Sequence, residues 1–184
     1  MNVNSSNSKK LALWWNRLIN RNKRNSQSLF ISKKGKTPKQ FLIILPEHST
    51  ESDLAKRFLR SMRNAMGPAG SNQVRLLGLE SVGSLVDSSD FHHYIFFTRE
   101  DLNRWGTPDK ELTYACEKIT VDVVLDLNQE FSLFSAALSQ IVSAPLRIGF
   151  YSKEGKDYYN IMIRRQGEEL AESGFKEIFQ IIGI

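Results

Sequence analysis

The chain has 184 residues, 41 % of them hydrophobic, a single cysteine and a formal net charge of +5. That is the length of one ordinary domain with a short appendage, and the apolar content suits a buried core. A lone Cys116 excludes an internal disulfide and a thiolate zinc site, and no apolar run reaches the roughly eighteen residues that span a bilayer.

The N-terminus carries no apolar core of signal-peptide length, so a cytoplasmic protein is expected. Its charge is sharply divided. Residues 1–40 hold ten Lys/Arg and no acid, whereas the remainder holds fifteen basic residues against twenty acidic ones. The basic character therefore belongs to an N-terminal arm, residues 1–40, and the body, residues 41–184, is mildly acidic. Residues 1–8 are Asn/Ser-rich and read as disordered. Ser8 then suits the cap of an amphipathic helix with an apolar stripe of Leu11, Trp14 or Trp15, Leu18 and Ile19. Lys10, Arg17, Arg21 and Arg24 flank its other face. Three readings compete. The helix docks on protein, on its own domain or another chain; it lies in the plane of a membrane surface, where paired tryptophans and flanking cations fit the headgroups; or it binds nucleic-acid phosphates, though without a motif for base readout. Residues 32–40 form a Lys/Gly/Pro linker.

Phe41–Leu45 reads as the first core strand. Ser49, Thr50 and Ser52, with Asp53 beside them, suit a helix start, and the helix dipole favours an acid there. Leu54, Phe58, Leu59, Met62 and Met66 continue the helix until Gly67-Pro68 stops it. Val74–Leu79 and His93–Phe97 are the second and third strands, separated by a short helix or turn. His92 and His93 lack spaced metal-ligand partners and read as a strand entrance. Thr107-Pro108-Asp109 predicts a helix with proline at its first position. Before it, Arg99, Arg104 and Trp105 read either as crevice lining or as surface charges beside a packed indole. Cys116 reads as a small buried hydrophobe.

The chain is organised around Thr120–Phe150. Val121, Val123, Val124, Leu125 and Leu127 make a near-continuous apolar run, as in a parallel strand buried on both faces. Asn128 breaks the run. Phe131, Phe134, Ala137, Leu138 and Ile141 then recur at helical spacing, and Ala144-Pro145 ends that helix. Leu146, Ile148 and Phe150 begin the next strand, which completes a βαβ unit. Tyr151–Tyr158 is a turn with Gly155 at its tip. Tyr159–Ile163 adds an edge strand, and Glu168–Phe179 is a last helix unless Gly174 divides it. The expected fold is α/β: an open, three-layer parallel sheet of about five strands with Phe41–Leu45 and Val121–Leu127 at its centre.

This stretch resembles the last βαβ of the N-terminal domain of family-nine, heptosyltransferase-like glycosyltransferases. The residues that carry the likeness are Asp122, Asp126, Leu127, Ser135, Ala136, Ala144, Pro145, Arg147, Ile148, Gly149 and Phe150. A looser likeness runs back to Phe41. The resemblance implies one Rossmann-like lobe of a GT-B-type architecture, the acceptor-sugar side. It also implies a catalytic carboxylate on a Gly-Asp after the first strand. Asp53 stands near that position, but Ser52 replaces the glycine and no Gly-rich turn precedes it. Asp53 is therefore the catalytic candidate under the resemblance and a first-turn helix acid from the residues alone.

The crevice beyond the carboxyl ends of the strands is where open α/β sheets bind ligands. Asp126, Asn128, Ser132 and Arg147 are the candidates there: the last three offer donors to a sugar phosphate or small acid, with Ser132 at a helix N-terminus. The alternative is structural, with Asn128 capping a helix, Asp126 bonded to backbone and Arg147 directed to the opposite end of the sheet. One lobe supplies one face of a two-lobe transferase cleft, so the expectation is a non-catalytic binding or scaffold module. Its arm would meet a membrane surface, plausibly the inner membrane near envelope-glycan metabolism, or another protein chain. No cofactor or metal is expected. The alternatives are the acceptor-side half of a split glycosyltransferase and an RNA- or ribonucleoprotein-associated protein.

Overall fold

The computed structural model describes residues 38–85, 91–164 and 171–183. The arm helix with Lys10, Trp14, Trp15, Arg17, Arg21 and Arg24 lies outside the described residues. Six strands form one sheet: β1 Phe41–Ile44, β2 Val74–Leu79, β3 His93–Phe97, β4 Val123–Asp126, β5 Leu146–Phe150 and β6 Ile161–Ile163. Every pairing is parallel, and the order is β3-β2-β1-β4-β5-β6. That is the Rossmann order, wound outwards in both directions from the central pair β1 and β4.

Among the described residues four helices cover the sheet: α1 Ser52–Met66, α2 Lys110–Glu117, α3 Leu133–Ile141 and α4 Ala171–Ile182. Because side chains alternate across a strand, β1 feeds two cores. Phe41, Ile43 and Leu45 pack with Ala55, Phe58 and Met62 of α1 and Phe175 and Ile178 of α4. Leu42 and Ile44 pack on the other face with Leu112 and Cys116 of α2 and Phe134 and Leu138 of α3. Burial pushes the Cys116 thiol up to about 11, as expected of a packing cysteine. Among the described residues no helix is long and apolar enough to cross a membrane.

The local signals account for most element ends. α1 stops at Gly67, whose φ of 69° is left-handed and whose N–H reaches the Arg63 carbonyl at 2.9 Å. Three expectations are corrected. Pro108 is not helical: it pairs with Leu102 in an isolated bridge, and Asp109 caps α2 by accepting from the Leu112 N–H at 2.8 Å. Asn128 does not cap α3; Ser132 does, accepting from the Ser135 N–H at 3.2 Å. Gly174 does not divide α4, because the missing side chain lets the helix lie against β6: a Cβ there would stand 3.2 Å from the Ile163 side chain.

Candidate functional site

The sheet reverses its winding between β1 and β4, so the turns leaving these strands diverge and open a crevice at their carboxyl ends. On one side Pro46, Glu47 and His48 lead through a short 3-10 turn, Ser49–Glu51, into α1. On the other, Leu127 and Asn128 lead to the cap of α3. Asn128 joins the two sides. Its Oδ1 accepts from the Glu47 N–H at 2.8 Å, and its Nδ2 donates to Asp126 Oδ1 at 2.8 Å and to the Leu45 carbonyl at 3.4 Å. The Gln129 N–H donates to Glu51 Oε2 at 2.9 Å, and the Ser132 hydroxyl donates to Glu47 Oε1. The two turns are thus tied together through groups 78 to 85 residues apart in sequence.

Beneath them Asp126 is 3 % exposed. Its Oδ1 also accepts from the Asn128 N–H at 2.9 Å, and its Oδ2 accepts from the Tyr159 hydroxyl. Burial still holds its carboxyl above the usual carboxylate range, against the opposing effect of hydrogen bonds from Ser135, Tyr159 and Asn128. Tyr159 is pushed up as well, by burial first and then by the facing carboxylate. Glu47, half-buried at the crevice wall, is also raised. Burial is the main cause; Asp126 adds to it, while the Ser132 hydroxyl, His48 and Arg99 oppose it.

The crevice has about 370 Å³ of open volume, and its walls include Glu47, His48, Glu51, Asn128, Ser132 and Trp105. Glu130, Phe131 and Phe134 complete the α3 side. Three carboxylates line it and no lysine or arginine does, among the described residues. The Trp105 indole is 40 % exposed, with the Arg104 guanidinium 4.9 Å from its ring centre. The packed-indole expectation for Trp105 is therefore corrected: it is a crevice wall. The lining offers hydrogen-bond acceptors together with aromatic surface, a pairing suited to a ligand rich in hydroxyl groups.

The structure brings Asn128 and Ser132 together at this crevice and sets Asp126 beneath it. Arg147 lies at the other end of the sheet. Its guanidinium donates to the carbonyls of Ser139 at 2.6 Å, Ala144 at 2.7 Å and Val142 at 3.0 Å, which closes the C-terminal end of α3. Asp53 is exposed in the first turn of α1 and borders a shallow depression with Lys56, Arg57 and Arg60, outside the crevice lining. The residues that sequence reasoning passed over are Glu47 and Glu51. The signal for them was positional: both sit in the turn after the first core strand, where a doubly wound sheet opens its crevice. No group of three or more His, Cys, Asp or Glu side chains suits a metal ion, among the described residues.

Fold and crevice define an α/β lobe of the Rossmann type with a small, acid-lined cleft at its switch point. The chain belongs to a family of unknown function, DUF6913, whose model matches residues 12–184. No curated protein matches it. Among solved structures it is similar to E. coli heptosyltransferase WaaC with ADP-2-deoxy-2-fluoro heptose. The TM-score is 0.55 at 16 % identity, over 76 % of this chain and 47 % of that one. The same enzyme with ADP gives a TM-score of 0.52 at 16 % identity, over 76 % and 46 % of the two chains. The likeness is one of fold, and this chain spans about half the length of that enzyme.

Proposed function

We propose that this protein is a glycosyltransferase-like binding module whose switch-point crevice holds a neutral, hydroxyl-rich ligand of the sugar class. It does not transfer glycosyl groups by itself. The observation that carries the reading is the crevice lining, in which Glu47, Glu51 and Glu130 share the walls with the exposed Trp105 indole and with no lysine or arginine, among the described residues. Carboxylates accept hydrogen bonds from hydroxyls, an indole face covers the apolar face of a pyranose, and the same carboxylates repel a phosphate. Asp53, the catalytic candidate under the family resemblance, lies outside this lining, which favours binding over transfer. The basic arm, with Lys10, Trp14, Trp15, Arg17, Arg21 and Arg24, would hold the module to a membrane surface or to another protein chain.

A second reading, the acceptor-side half of a split glycosyltransferase, draws on one observation. Glu47 is a carboxyl whose pKa burial raises, in a ligand-sized cleft, and that is the direction in which a general base is tuned. Calorimetric titration of free hexoses, heptoses, sugar phosphates, nucleotides and inorganic phosphate into wild type and Trp105→Ala tests the proposal. Free sugars are expected to bind and the variant to lose at least tenfold in affinity. Binding of phosphates in preference to free sugars, or equal affinity in the variant, would overturn it. Turnover of a nucleotide sugar by the isolated chain, abolished in Glu47→Gln, would establish the second reading instead.

A further inference from the structure

Trp105 reaches the crevice on a loop, and a loop holds an indole still only where its own backbone is tied down. Residues 98–109 supply the ties. Thr98 and Asp101 form a capping box just after β3, in which the Thr98 N–H donates to Asp101 Oδ2 at 2.7 Å. Leu102 packs on the α2/α3 core and bridges Pro108, and the Asp109 N–H donates to the Asp101 carbonyl at 2.8 Å. These pairings make a miniature antiparallel hairpin with Arg104, Trp105 and Gly106 at its tip. Trp105 and Gly106 both line the crevice.

One side chain ties the hairpin together. Asn103 Oδ1 accepts from the Trp105 N–H at 2.9 Å and from the Thr107 N–H at 3.2 Å. Its Nδ2 donates to Thr107 Oγ1 at 2.6 Å and to the Pro108 carbonyl at 3.3 Å. A side-chain amide accepts through its oxygen and donates through both its N–H bonds, and Asn103 uses all of these. The backbone adds bonds from the Gly106 N–H to the Asn103 carbonyl and from the Asn103 N–H to the Thr107 carbonyl, each 2.9 Å. Gly106 stands at a φ of 71°, which glycine adopts without strain. We propose that Asn103 is a positioning residue for the crevice: it fixes Trp105 before a ligand arrives, so that binding carries little cost of ordering that wall. Its effect on affinity rests on the reading of the crevice as a sugar site, whereas the order of the indole is a property of the free protein.

The test uses the full chain with Trp14→Phe/Trp15→Phe, in which Trp105 is the sole tryptophan, as the reference for every variant. Time-resolved fluorescence anisotropy without ligand reads the local motion of the indole, and calorimetric titration of free hexoses and heptoses reads affinity. In the reference chain the indole is expected to turn with the whole domain. Asn103→Ala should add a fast local component and weaken sugar binding about tenfold, the scale of ordering such a wall on binding. Asn103→Asp keeps oxygen acceptors for both N–H groups, and its Trp105 should stay restrained. Gly106→Ala strains the tip by a separate route, without a clash, since no atom lies within 4 Å of the added Cβ; it should loosen the indole and weaken binding as well. An indole as restrained in Asn103→Ala as in the reference would overturn the proposal, as would one as loose in Asn103→Asp as in Asn103→Ala. So would unchanged affinity in either variant whose indole has been loosened. If no free sugar binds the reference chain, the reading of the crevice falls, and the anisotropy still decides whether Asn103 holds Trp105.

Discussion

A carboxylate at the end of a central strand is costly to bury, and Asp126 is held there because its own turn and Tyr159 supply its donors. Those donors do not fully replace water, and the folded-state pKa rises above the 3.8 of a free aspartate. The sign of the pH effect follows. For an acid whose pKa is raised on folding, the stabilising contribution is complete below the unfolded pKa and is lost as pH rises through the folded value. Asp126→Asn keeps an acceptor for Asn128 and offers an N–H to the Tyr159 oxygen, but it cannot ionise. Its urea midpoint relative to wild type is therefore expected to climb from about pH 4 upward and to level off once Asp126 has ionised. A difference independent of pH between 4 and 8 would show that Asp126 titrates alike in both states. At this scale the sequence pointed to one turn, and Asp126, Asn128 and Ser132 do meet there. It could not show that Asn128 spends its amide on Glu47, Asp126 and Leu45, since those partners meet only when β1 and β4 pair.

Among elements, the strands were the most legible. Val74–Leu79 and His93–Phe97 have the bounds that their apolar runs predict. The central strand is shorter than its apolar run, because Val121 bonds to the Ser143 carbonyl at 3.0 Å and Asp122 to Gln40, before the ladder with β1 begins. Leu127 remains buried beyond the strand end. Apolar patterning reports burial, not pairing, and buried loop residues lengthen the apparent strand. Arg147 was legible as a residue and not as a role. A side chain that can reach either end of the sheet is placed by its acceptors, here the three carbonyls at the end of α3, where the helix dipole also favours a cation. Arg147→Met leaves those carbonyls without that donor and should cost about 2 kcal/mol of folding stability in urea titration. Arg147→Lys should recover less than half of this, since an ammonium cannot span all three acceptors. Full recovery by lysine would mean that charge alone, and not the guanidinium fork, holds α3.

Across the described residues the two main hydrophobic layers share one sheet, and the central strands belong to both. Phe41 and Ile43 of β1 face the α1/α4 core while Leu42 and Ile44 face the α2/α3 core, and β4 divides Val123 and Leu125 from Val124 in the same way. Neither core can open without uncovering β1 and β4, whose residues are at most 3 % exposed. The sheet margins differ. In β3, His93 and Phe96 are exposed; β6 has three residues, of which only Ile163 is buried. Amides that exchange only through global unfolding should therefore lie in β1 and β4, with protection falling outward through β2 and β5 to β3 and β6. Native-state hydrogen exchange at increasing urea checks this. The amides of Leu42, Ile43, Val124 and Leu125 should share one opening free energy equal to the global value, and those of Ile95 and Met162 should open at lower energies. Margins that open only with the centre would mean that the described elements form one unit without a graded edge. Openings confined to one layer, with the other still protected, would mean that the shared strands do not couple the two cores.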